Sequence, residues 1–83
     1  MKKFMIDILL QGIDNETRIR LLPKELEVLK DWEGSGELLG SYIKDETPGI
    51  FLILMASDKE DADKKLALLP YYPYMKIEII ALR

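Results

Sequence analysis

Ile50, Phe51, Leu52, Ile53, Leu54 and Met55 are apolar at every position. Side chains alternate between the two faces of a strand, so a strand with no polar phase predicts cover on both sides. A chain of 83 residues makes a single domain, residues 1–83, whose one core is thin. It contains no cysteine for a disulfide and no histidine for a soft metal site, which leaves association with another chain as the remaining source of stability. A homodimer or higher homo-oligomer is therefore expected.

The rest of the pattern places that strand. Phe4, Ile6, Ile8 and Leu10 alternate with Asp7 and other residues and predict a first strand over Lys3 to Leu10. Gly12, Asp14 and Asn15 mark a turn. Ile19, Leu22, Leu26, Leu29 and Trp32 then recur at steps of three or four, the stripe of an amphipathic helix, with Trp32 read as core. Pro23 removes one helical hydrogen bond from that stripe, and the preferred reading is a short turn followed by a helix whose first position is Pro23. Gly34 and Gly36 stop the helix. Leu38 to Lys44 and Ile50 to Ala56, joined by the turn Asp45-Glu46-Thr47-Pro48-Gly49, predict a hairpin. Ser57 and Glu60 have capping-box spacing, and Ala62, Leu66 and Leu69 form a second, shorter stripe. Pro70 and Pro73 forbid a helix across the next segment, and alternation from Met75 to Leu82 predicts the last strand. The order is βαββαβ: an α+β, ferredoxin-like domain with two helices on one face of a four-stranded antiparallel sheet.

The wholly apolar phases, Phe4 to Leu10 and Met75, Ile77, Ile79 and Ala81, are assigned to the helix side. The open side then receives Met5, Asp7 and Leu9, with Lys76, Glu78, Ile80 and Leu82 and one apolar half of the third strand. A contiguous apolar patch of more than a few hundred Å² is unusual on a soluble monomer, so a second sheet is expected to cover this face.

Several function classes are excluded by composition. A net charge of -3 with scattered lysines and arginines offers no basic face for nucleic acid. No apolar run approaches the roughly 20 residues of a membrane span, and Asp7 interrupts the only stretch resembling a leader. A cytoplasmic location is expected. Asp58, Glu60, Asp61 and Asp63 lack the glycine and terminal glutamate of a calcium loop, and Gly34-Ser35-Gly36 lacks the lysine and hydroxyl of a phosphate loop. Neither metal nor cofactor is expected.

Asp7 is the leading candidate for chemistry: a carboxylate between Met5 and Leu9 on a covered face would be desolvated and suited to act as a base. The plainer reading, weighted about two to one because ion-pair networks perturb carboxylates without catalysis, pairs it with a lysine such as Lys76. Lys76 and Glu78 share the open face and would meet Asp7 at one cavity, or simply solubilise an edge strand. Tyr42, Tyr71, Tyr72 and Tyr74 offer phenolic donors, with Ser41 opposite Tyr42. Aromatic residues around two prolines are more ordinarily the packing of a subunit contact.

The run Leu69-Pro70-Tyr71-Tyr72-Pro73-Tyr74-Met75-Lys76-Ile77-Glu78 resembles the Leu-Pro, two bulky apolar residues, Pro-Tyr-Met, any residue, Ile-Glu segment near the end of muconolactone delta-isomerase-like proteins. These belong to the dimeric α+β barrels, in which two sheets face each other and enclose a ligand. The resemblance implies that fold for the whole chain. It also implies one of two functions: a cofactor-free isomerase moving a proton on a small lactone or carbonyl compound, or a non-catalytic dimeric ligand-binding or interaction module like the related YCII-type barrels. On the first, Asp7 is the base, Lys76 and Tyr42 stabilise an enolate, and Met5, Leu9, Tyr74 and Glu78 line the small-molecule site. The isomerases carry basic or histidine side chains on the first strand and a histidine near the second. Met5 and Asp7 stand there in this chain, so the isomerases' catalytic residues do not transfer to it.

Overall fold

A computed structural model describes residues 1–83. The elements are β1 (Lys2–Leu10), α1 (Asn15–Ser35), β2 (Leu38–Ile43), β3 (Gly49–Ala56), α2 (Lys59–Leu66), a single 3-10 turn at Tyr72–Tyr74 and β4 (Met75–Ala81). The strands form one antiparallel sheet in the order β2-β3-β1-β4 with both helices on one side, the ferredoxin-like arrangement. No helix is long and apolar enough to cross a membrane.

The phases of β1 and most of β4 fall as the alternation predicts: Met75, Ile77 and Ile79 pack against the core, but Ala81 at the end of β4 is exposed. Phe4, Ile6 and Ile8 of β1 and Leu52, Leu54 and Ala56 of β3 are buried beneath the helices, joined by Trp32, Ala62, Leu66 and Leu69. The other phase of β3 is only half-buried, because this chain supplies nothing to cover it. Two rows cross that open face: Tyr42, Phe51, Asp7 and Glu78 in one, and Met5 between Ile53 and Ile80 in the next. A bulge at Leu39 lets Leu38 stay buried opposite Leu54 while Gly40, two residues on, faces Ile53.

The first helix departs from the sequence reading. It begins at Asn15 and runs through Pro23, with no turn before that residue. Asp14 caps it, its carboxylate accepting from Thr17 N–H at 2.7 Å, so the start signal lies eight residues earlier than a helix opening at Pro23 would need. Proline forfeits one hydrogen bond to Ile19, and intact turns on both sides carry the helix across. Gly36, at φ 83°, ends it in the left-handed conformation that a residue with a Cβ avoids. The second helix is capped one residue later than expected. Asp58, not Ser57, is the N-cap and accepts from Asp61 N–H at 2.8 Å, while the Asp61 carboxylate, not that of Glu60, accepts from Ser57 N–H at 2.9 Å.

The phase of the first stripe also differs. Val28, Leu29 and Trp32 pack on the core, but Ile19, Leu22 and Leu26 remain exposed, and Glu25 is the buried residue in this half of the helix. The C-terminal half of α1 thus lies on the sheet, next to β2, while the N-terminal half stands off it.

Candidate functional site

The gap beneath the raised half of α1 is an apolar cleft of about 590 Å³, within the range of small-molecule sites. Its floor is Ile8, Leu10, Ile50 and Leu52 from the helix side of β1 and β3. Ile19, Leu22 and Leu26, all largely exposed, form the wall opposite. The β2–β3 turn closes one end through Thr47, Pro48 and Gly49. That turn is held close to β1 by Leu10 N–H donating to Pro48 O at 2.8 Å. Gly49 must be glycine, since a Cβ there would lie 2.2 Å from Ile8 O.

Glu25 is the polar group inside. Tyr71 N–H donates to its Oε1 at 3.0 Å; the bend between Pro70 and Pro73 leaves that amide free of any helix or strand partner. No side-chain oxygen in the protein is both buried and unpartnered, so Oε2, which makes no protein hydrogen bond, keeps some accessible surface on a residue that lines the cleft. Burial pushes the carboxyl above its ordinary value of 4.5, and the Tyr71 N–H bond offsets only part of this. Arg18 lines the cleft as well, its guanidinium donating only to Asn15 Oδ1 at 2.9 Å. The Tyr71 hydroxyl donates to Arg18 O at 2.6 Å. Burial, with the Glu25 charge adding to it, raises the phenol and keeps it a donor at neutral pH.

Of the residues singled out from the sequence, Met5, Asp7, Leu9, Tyr42, Lys76 and Glu78 lie on the other face of the sheet. Asp7 pairs with Lys44 at 2.6 Å, and not with Lys76. The Lys44 ammonium also sits 4.9 Å from the Phe51 ring centroid. Lys76 is opposite Leu9 and exposed; Glu78 is opposite Asp7 and exposed; Tyr42 is exposed at the end of the Asp7 row. Met5 and Leu9 are half-buried on the open face, and Tyr74 is half-buried at the start of β4. These groups do not converge on a cavity within one chain. Asp7→Asn is expected to lower stability by about 1 kcal/mol, a value set by a pair that is only partly desolvated. Thermal unfolding checks this, and a higher melting temperature would mark Asp7 as a strained carboxylate instead.

Glu25 and Arg18 went unremarked in the sequence although a signal for them exists. Positions 18, 25, 29 and 32 follow a heptad-like spacing that runs along one face of α1, and a glutamate on such a line is either misplaced or used. In the sequence Tyr71 is one of four tyrosines, and nothing local sets it apart from the other three.

No protein-family model matches this chain. No curated protein matches its sequence. Among solved structures it is similar to muconolactone isomerase, described in a crystal structure at 3.3 Å resolution. The TM-score is 0.82 over 96% of this chain and 86% of that one, at 19% sequence identity. The fold is thus the fold of muconolactone isomerase, and the resemblance read from Leu69 to Glu78 extends over the whole domain.

Proposed function

We propose that this protein binds a small, mostly apolar, oxygen-bearing molecule in the helix-side cleft and moves a proton on it without a cofactor, Glu25 serving in turn as base and acid. The observation that carries this reading is the Glu25 carboxyl: buried, raised by that burial, fixed through one oxygen, free of protein hydrogen bonds at the other, and on a residue lining an apolar cleft. Muconolactone isomerase is named for a lactone, which supports an unsaturated lactone or related carbonyl compound as the ligand class. In such a step Oε2 takes a proton from the carbon next to the carbonyl and the C–H electron pair moves into the conjugated system as an enolate. The protonated carboxyl, whose proton exchanges with solvent, then delivers a proton to the far end of that system, leaving the double bond shifted. Arg18 is placed to offset the developing negative charge.

Two copies placed sheet to sheet would cover the Phe51, Ile53 and Ile80 phase, and we assign the homodimer to that face. A competing site, with Asp7 as base and a ligand between the paired sheets, is favoured only by the apolar surroundings of Asp7 and is opposed by its lysine partner.

Incubating the protein with a five-membered unsaturated lactone in heavy water and following deuterium uptake by NMR tests the reaction. Uptake faster than in buffer, retained in Asp7→Asn, is expected. Binding without uptake would make the protein a ligand-binding module, and loss of uptake in a folded Asp7→Asn would move the site to the other face.

A further inference from the structure

We infer that the first half of α1 is a hinged wall of the cleft and that Tyr71 is the latch that positions it, an inference that rests on the cleft being a ligand site. Two hydrogen bonds from this one residue reach α1 two turns apart: its hydroxyl to Arg18 O at 2.6 Å and its amide to Glu25 Oε1 at 3.0 Å. Pro23 lies between those two anchor points. It leaves Ile19 O without a helical partner, the usual place for a helix to flex.

Apolar packing does not hold this half. Ile19 is 61% exposed and Leu22 41%, whereas Val28, Leu29 and Trp32 beyond the hinge sit on the core. A helix segment with few buried contacts belongs to the least stable part of a fold, and its position is set by whatever specific ties it has. Here those ties all run to Tyr71, which is itself buried and held by the bend between Pro70 and Pro73. Swinging about Pro23 moves Ile19 and Leu22 towards or away from the sheet. The amide bond meanwhile stays beside the hinge and keeps Glu25 aimed at the ligand. Tyr71 is a positioning residue, acting through α1 and the Glu25 carboxyl.

Tyr71→Phe removes the hydroxyl bond and keeps the amide bond and the ring. Hydrogen exchange of the wild-type chain and this variant, resolved by residue, reads the effect directly. Amides of 19–22 and 24–26 are expected to exchange at least tenfold faster in the variant, with those of 28–35 unchanged. Pro23→Ala, which restores the missing bond, is expected to slow exchange in the same segment, and it decides the matter if Tyr71→Phe fails to fold. Equal acceleration along all of α1, or none, would overturn the latch; unchanged exchange in Pro23→Ala would overturn the hinge. A parallel titration with 8-anilino-1-naphthalenesulfonate separates the two readings. Weaker dye binding in Tyr71→Phe is expected, and a wild-type protein that binds no dye would overturn the cleft as a ligand site, leaving the exchange data to judge the wall alone.

Discussion

Leu52→Asp will leave the chain unfolded, whereas its neighbour Ile53→Asp will fold and remain monomeric. Leu52 is buried under the helices against Ile6 and Ser41 in register, and Ile53 is half-buried on the open face between Met5 and Gly40. Deleting a buried leucine side chain alone removes about 2–5 kcal/mol, and an unpaired carboxylate in its place adds several more. A domain of this size has about 4–12 kcal/mol in total, at 0.05–0.15 kcal/mol per residue. Leu52→Asp therefore exceeds what the fold can lose. On the open face the same carboxylate meets water in the monomer and is desolvated only when a second sheet closes over it. Circular dichroism reports the folding of each variant and sedimentation its assembly. A wild-type chain that is monomeric at micromolar concentration would remove the sheet-to-sheet dimer. An unfolded Ile53→Asp would mean that β3 needs its partner in order to fold at all.

The second large effect belongs to Glu25→Gln. If Glu25 carries the proton, the amide, which cannot, should lower deuterium uptake by about 10²–10⁴-fold, the range for a positioned acid–base group. The same change should raise stability at neutral pH by about 1 kcal/mol, or a melting temperature about 4–8 °C higher, since the amide still accepts from Tyr71 N–H and carries no buried charge. The sign with pH follows from linkage. A carboxyl raised in the folded state binds its proton more tightly there than in the unfolded chain. Its stabilising contribution is complete below the ordinary value of 4.5 and is lost as pH rises through the raised value. The two proteins should accordingly be alike in acid and diverge towards neutrality. Asp14, Glu37 and Asp61, whose carboxyls are lowered by hydrogen bonds and ion pairing, lose stability in the opposite direction as pH falls, equally in both proteins, and cancel in the difference. A Gln variant with wild-type uptake and stability would remove Glu25 from the site.

The sheet was legible in the sequence because a strand's side-chain period is two: β1 and β4 each carry an apolar phase for the buried side, and β3, apolar in both phases, reads as covered twice. The first helix was less legible. Ile19, Leu22 and Leu26 have helical spacing and share a stripe with the core residue Trp32, yet they line a cleft and remain exposed. Apolar spacing tells which residues share a side of a helix. It does not tell how far that side stands from its neighbour.

Local rules, acting between residues a few positions apart, determined from the sequence alone the number and order of elements, the inward phase of β1 and of most of β4, and the unmet need for cover on β3. Tertiary structure decided what lies far apart in the chain: that Asp7 meets Lys44, 37 positions on, and that Glu25 meets Tyr71, 46 positions on. An ion pair or a buried carboxyl depends on the three-dimensional meeting of a charge with a donor and on the water excluded around them. No periodicity in the chain encodes that meeting, so the cleft and its carboxyl became visible only when the bend at Pro70 to Pro73 brought a free amide against α1.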